Sequence, residues 1–342
     1  MNFEITKRIS SLIKSRATSN IKHQIQQPQQ MSYLRINSQK NNNNKTELKY
    51  VKNEINESRV KKLKLLHEHS YKPTPYLSNR FLQSLYNITF SDNLRINYKR
   101  ELVKLQDGGQ ISLDWALPFN LKTGQEYNPS DDTKILFVSH GLTGGSNMNY
   151  IKQMIQQGQA SGYRCVAFNS RGINTYSPFG EFPEINSAFF NLFHDAPYLV
   201  EFTKNFLLTE KTHSIDFNKV AKVRSLRDYH EQLLIKLFNY SSVDEYFEKS
   251  MVEAEQLLNI KCPSLLLHSK GDPIVTYECI PQETLRKNPF IIQADTENGA
   301  HNCWFTGLIP ERWYPKPVIQ FFEVLLEENY QQKQYEMEEK YD

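Results

Sequence analysis

The chain has 342 residues, 39% of them hydrophobic and 23% charged, enough for one large α/β domain or two small ones. No window approaches the roughly 18 consecutive apolar residues that a membrane span requires, and no apolar core of a secretory signal is present. The net charge of +3 conceals an asymmetry: residues 1–66 carry 14 Lys/Arg against 4 Asp/Glu, a net of +10, so the other 276 carry −7.

The first 66 residues read as a basic low-complexity arm. In MNFEITKRISSLIKSR, Ile5, Ile9, Leu12 and Ile13 share one helical face, with Lys7, Arg8, Lys14 and Arg16 spread around the other. A mitochondrial presequence, a membrane-surface helix and a disordered tail with chance periodicity are the readings open to it, and Glu4 counts toward the last. QIQQPQQ, NNNN and a Lys-rich stretch follow, too poor in apolar residues to offset the entropy of ordering. The folded domain is expected over 67–330, with an acidic tail over 331–342.

Two β-patterned runs around Asp107-Gly108-Gly109 predict a hairpin, with Ile111, Leu113 and Trp115 alternating toward one face. KILFVSHGL (134–142) predicts a buried strand, followed by a helix from Asn149 to about Ser161, and RCVAFNSRG (164–172) another short strand. Strand, glycine-containing loop, helix, strand is the grammar of a parallel sheet, which places ligands at the carboxyl ends of its strands. Leu226, Leu233, Leu234 and Leu237 recur at helical spacing, and Ser242 with Glu245 makes a capping box. Strands are expected again at about 264–269 and 290–295. The first runs into Gly271-Asp272-Pro273 and the second into Gly299-Ala300-His301. An acid after one parallel strand and a histidine after the next are two members of a hydrolytic triad in the chain order Asp then His. The four cysteines, Cys165, Cys262, Cys279 and Cys303, lack metal or disulfide-framework spacing and read as core or near-core thiols in a reducing compartment.

With these stretches in order, the sequence resembles the α/β-hydrolase superfamily, in particular its YheT-like esterase and lipase branch, AB hydrolase family 4. YKPTPYL (71–77), YKRELVKLQDGGQISLDW (98–115), HGLTGGS (140–146), GYRCVAFNSRG (162–172), KVRSLRDYHE with SSVDEYFEKS, CPSLLLHSKGDPI and NPFIIQADTENGAH carry the resemblance. It implies an α/β fold, a mostly parallel sheet flanked by helices. It also implies that Asp272 orients the base, that His301 is the general base, and that the backbone N–H of Leu142 is an oxyanion donor. The activity implied is carboxylic-ester hydrolysis on lipid or short acyl esters, with neither metal nor organic cofactor and no nucleic-acid partner. The basic arm is the candidate for peripheral membrane contact, and the expected location is intracellular, cytoplasmic, membrane-associated or mitochondrial.

One element of the pattern is missing. The nucleophile belongs in Gly-x-Ser-x-Gly, on a strained turn between the RCVAFNSRG strand and the strand before Asp272. From Ile173 to Lys270 the chain has one glycine, Gly180. The interval reads as helical, and an internal deletion near 173–190 would remove two central strands, leaving unpaired backbone or bringing the strands near 137 and 267 together. A coding segment absent from the translation, a non-catalytic relative that binds an acyl ligand or protein partner, and takeover by another nucleophile are the three explanations. Ser146, read as a turn or helix-capping residue, and Cys303, two residues from His301, are poor substitutes.

Overall fold

The computed structural model describes residues 46–68, 71–90, 94–106, 110–141, 144–170, 215–220, 222–223, 225–250 and 254–338. The expected deletion near 173–190, the hairpin turn at Asp107-Gly108-Gly109 and Leu142 lie outside the described residues.

Strand β1 (Glu47–Lys49) and helix α1 (Glu54–Lys62) open the described chain. Asn53 caps α1 by accepting from the Asn56 N–H at 2.8 Å, which supplies a partner to one of the donors orphaned at a helix start. This corrects the boundary drawn at 67: β1 pairs with a core strand, and Leu63 and Leu66 are fully buried. The lysines of 46–66, of which Lys52, Lys61 and Lys64 are exposed, give that stretch the look of the basic arm, although apolar residues among them face inward.

Helix α2 (Arg80–Thr89) precedes a hairpin of β2 (Lys99–Lys104) and β3 (Gln110–Ala116), paired antiparallel with Lys104 opposite Gln110. Strand β4 (Ile135–Ser139), helix α3 (Asn149–Ala160) and strand β5 (Arg164–Asn169) form the expected parallel unit. Later come α4 (Val243–Ser250), β6 (Ser264–Ser269), β7 (Ile291–Thr296), a small ribbon of β8 (Phe305–Thr306) with β9 (Glu311–Arg312), and the long helix α5 (Pro315–Glu338). Ser242 accepts the Glu245 N–H at 3.0 Å, as a capping box requires, but the Glu245 carboxylate reaches back to Ser241 rather than Ser242. Helix α5 runs on to Glu338, into the stretch assigned to an acidic tail.

Among the described residues the larger sheets are separate, one ordered β2-β3-β5-β4 and the other β1-β7-β6. The α/β class holds, but the sheets are mixed: β4 with β5 and β6 with β7 are parallel, and the other pairings are antiparallel. The strands near 137 and 267 are not neighbours; each ends its own sheet. Strand β4 is therefore not the buried strand that its composition suggests. Leu136 is buried, while Ile135 and Phe137 are 55% and 59% exposed.

Helix α5 packs on both sheets. Phe321 and Val324 join Leu63, Leu66, Ile292, Ala294 and Trp313 in one core, while Ile319 joins Ala116, Leu136, Ile151, Ile155 and Cys165 in another. Burial also pushes the Cys165 thiol up to about 12, so it behaves as a small apolar side chain. Cys303 is likewise buried, whereas Cys262 and Cys279 are exposed, which corrects the reading of all four as core thiols.

Candidate active site

Two loops after adjacent parallel strands build the first part of the site. Strand β6 ends at Ser269, and the Asp272 N–H donates to the Ser269 carbonyl at 3.0 Å, so Lys270 and Gly271 form a tight turn. Strand β7 ends at Thr296, and its loop turns sharply through Gly299, whose φ of +122° disfavours any residue with a Cβ. Reciprocal bonds between Ala300 and Cys303, at 2.8 and 3.2 Å, hold His301 at the tip of that turn. A Cβ on Gly271 would stand 3.0 Å from the Gly299 carbonyl oxygen, so the missing side chain is what lets the loops meet.

The two side chains meet as the sequence pattern expects. His301 Nδ1 lies 2.9 Å from Asp272 Oδ2. The other carboxylate oxygen, Oδ1, accepts the N–H groups of Ile274 and Val275 at 2.8 and 3.0 Å, so the turn around Pro273 and the contact with the imidazole use different oxygens. Burial pushes the Asp272 pKa up, but the His301 ring and these two N–H groups outweigh it and hold the carboxyl below its usual range. An ionised Asp272 beside Nδ1 places the proton there and leaves Nε2 as the proton-accepting nitrogen. Asp272 is 8% exposed, whereas the His301 side chain is 33% exposed, so a buried carboxylate stands beside an accessible imidazole.

The HGLTGGS loop follows β4, in the other sheet. Leu142 is outside the described residues, but its flanks are fixed. The Gly141 N–H donates to the Tyr150 hydroxyl at 2.9 Å, and the Gly144 N–H to the Gly141 carbonyl at 3.1 Å. Ser146 is anchored from three sides: its N–H donates to Asn169 Oδ1 at 2.8 Å, its hydroxyl to Asp114 Oδ2 at 2.5 Å, and its carbonyl accepts from Tyr98 at 3.0 Å. Of the two roles expected of it, Ser146 takes the turn, closed by the Met148 N–H on the Gly145 carbonyl at 3.1 Å, and not the helix cap. Met148 is the N-cap of α3 and makes no side-chain capping bond, so Ser146 instead ties the loop to the sheet.

Asp114, at the centre of this network, is fully buried and takes both arms of Arg100 at 2.7 Å, with Asn169 Nδ2 donating at 3.0 Å. Burial raises the Asp114 pKa, yet Arg100, Ser146 and Asn169 together hold it below the usual carboxylate range. The hairpin's more buried face is thus Ser112, Asp114 and Ala116, rather than the face carrying Ile111, Leu113 and Trp115. Sequence reasoning passed over Asp114 and Asn169, although an acid on a strand opposite an arginine, as Asp114 is opposite Arg100, signals a satisfied buried charge.

A further pair joins the ends of β4 and β5. The His140 ring stacks on Phe168 at 6.1 Å and 11°, and its Nε2 receives the Ser170 N–H at 3.2 Å with the Ser170 hydroxyl at 3.1 Å. Its Nδ1 lies 2.6 Å from the Gly141 carbonyl oxygen. Cys303, weighed above as a substitute nucleophile, instead directs its buried thiol to the His301 carbonyl at 2.9 Å.

No family model matches the chain. Among curated proteins it is 24% identical over 333 residues to the mouse phospholipase ABHD3, covering 77% of this chain and 80% of that protein. It is 22% identical over 364 residues to the monoacylglycerol lipase of Saccharomyces cerevisiae, covering 74% and 80%. The chain is thus similar to lipases over about three quarters of its length. The embryogenesis-associated protein EMB8 of Picea glauca is a further relative, 25% identical over 335 residues and 75% and 72% covered. Among solved structures, the Pyrococcus furiosus esterase Pf2001 aligns with a TM-score of 0.31 at 17% identity, covering 61% of this chain and 84% of that one. Two of these relatives are lipases by name, and the solved neighbour is an esterase by name.

Proposed function

We propose that this chain is a carboxylic-ester hydrolase of the lipase type, with His301 as general base and Asp272 as the acid that orients it. The observation that carries the reading is the 2.9 Å contact between His301 Nδ1 and the buried Asp272 carboxylate at the carboxyl ends of neighbouring parallel strands. In hydrolysis, His301 Nε2 takes a proton from the attacking water as the water oxygen bonds to the ester carbonyl carbon, and returns it to the alkoxide as the bond from that carbon to the leaving oxygen breaks. Asp272 stabilises the imidazolium through Nδ1, and the Leu142 N–H stabilises the oxyanion. The names of the relatives, a phospholipase and a monoacylglycerol lipase, support a lipid or short acyl ester as substrate. The net +7 of residues 1–45, with 8 Lys/Arg against one Glu, supports peripheral contact of an intracellular protein with an anionic membrane surface. Co-sedimentation with anionic vesicles, with and without residues 1–45, tests that contact; equal pelleting removes it.

The second reading, a non-catalytic relative that binds an acyl ligand or a protein partner, is favoured by one observation: Gly180 is the only glycine between Ile173 and Lys270, so no Gly-x-Ser-x-Gly exists there. Purified full-length chain should be assayed for release of p-nitrophenol from short and medium acyl esters. Turnover supports hydrolysis; absence of turnover with saturable binding of a fatty acid supports the second reading.

A further inference from the structure

The sequence lacks a serine in the family's usual position, yet the chain places a serine hydroxyl on an imidazole elsewhere. We propose that Ser170 is an activated nucleophile, with His140 as its general base. The proposal goes beyond the reading of Asp272 and His301 and does not depend on it.

Three observations carry it. The first is geometry. Ser170 Oγ stands 3.1 Å from His140 Nε2, within the reach expected of a nucleophile and its base. The second is the tautomer. The Ser170 backbone N–H can only donate, and it points at the same Nε2 at 3.2 Å, so that nitrogen presents a lone pair. The proton of the neutral ring is then on Nδ1, where the Gly141 carbonyl oxygen, 2.6 Å away, accepts it. A carbonyl here does for His140 the orienting work that the Asp272 carboxylate does for His301, and it leaves Nε2 ready to accept the Ser170 proton.

The third observation is how the chain builds the pair. Asn169 turns its side chain into the buried network with Asp114 and Ser146, so the next residue on the extended chain emerges on the opposite side. Phe168, two residues before Ser170, shares that side and provides the surface on which the His140 ring lies. Ser170 therefore stands at the carboxyl end of β5 and His140 at that of β4, the edge at which open α/β sheets present their ligand groups. Both residues are partly buried, neither sealed in the core nor fully in water.

The step is an acyl transfer. The Ser170 Oγ forms a bond to the carbonyl carbon of an activated ester, and its proton passes to His140 Nε2. The bond from that carbon to the leaving oxygen breaks, and the imidazolium returns the proton to the departing alkoxide. Deacylation by water is not part of the proposal. A fluorophosphonate follows the same course, with a phosphorus–oxygen bond formed and fluoride expelled.

The test uses the full chain and a fluorophosphonate probe, followed by proteolysis and mass spectrometry of the labelled peptide. The expected result is one phosphonylated serine at Ser170, with labelling lost in Ser170→Ala, reduced at least tenfold in His140→Gln, and retained in His301→Ala. Mapping the wild-type chain needs no variant, so misfolding of a mutant cannot rescue the proposal. Failure of the wild type to label, label on any other serine, or label abolished by His301→Ala but kept in Ser170→Ala overturns it. Ester turnover without label on Ser170 also overturns it while leaving the hydrolase reading intact. Label on Ser170 without ester turnover upholds it while removing that reading.

Discussion

The His301 ring and the Asp272 carboxylate, 29 residues apart in sequence, stand 2.9 Å apart through Nδ1 and Oδ2, each on the loop that follows one of two adjacent parallel strands. The carboxylate is buried and held below its usual pKa range by this ring and two backbone N–H groups, which suits the orienting role proposed for it.

Asp272→Asn should leave the loop folded, because the amide oxygen can still accept from Ile274 and Val275. It can no longer hold His301 as the Nδ1–H tautomer by charge. Ester turnover should fall by about 10³- to 10⁴-fold in kcat, as for triads in general, with KM changed little. Steady-state kinetics on a p-nitrophenyl ester would decide it; a loss confined to KM would assign Asp272 to substrate binding instead.

Gly299→Ala should be costly. At φ +122° an added Cβ is strained and would lie 2.7 Å from Trp304 Nε1 and 3.0 Å from Ser269 Oγ. Trp304 is buried and bonded to Thr296 at 2.8 Å, so it has little room to move. A destabilisation of about 2 kcal/mol or more is expected from the strain alone, read as a lower urea midpoint. An unchanged midpoint would mean that the loop adopts a different backbone.

Asp114 and Asp272 both have folded pKa values below the usual carboxylate range. A group depressed on folding stabilises the native state above its unfolded pKa, about 3.9 for Asp, and loses that contribution as pH falls through its folded value. Stability should therefore be flat in these two groups near neutrality and decline below about pH 4. Asp114→Asn should flatten that decline and lower stability at pH 7. Urea titrations at several pH values check both, and a steeper acid limb in the variant would contradict the assignment.

Helix α5 joins two cores, so Phe321→Ala should act beyond its own neighbours. The truncation should cost about 3–5 kcal/mol. Tryptophan fluorescence, which reports on Trp115 in one sheet and on Trp304 and Trp313 beside the other, and near-UV circular dichroism should lose their signals in one shared transition. Separate transitions would show that the sheets fold independently of the helix.

Much of this was legible in the sequence because local pattern and tertiary role coincide there. The strands at 264–269 and 164–169, the helix from Asn149 and the Asp272–His301 pair all follow from apolar runs that end in glycine-containing loops. The misreadings have a common cause. Ile135 and Phe137 look like core residues because composition does not say which strand ends a sheet. Asp114 looks like a surface residue because its partners, Arg100, Ser146 and Asn169, come from three separate stretches. The same holds for Ser170 and His140, 30 positions apart and joined only when β4 and β5 align in register.

The most direct measurement is the rate of ester release by purified full-length chain beside its His301→Ala variant, on one medium-chain acyl ester at saturating concentration. The account predicts turnover by the wild type that drops by at least a hundredfold in the variant, with an unchanged urea midpoint. Equal rates in the two proteins, or no turnover by either, would contradict it.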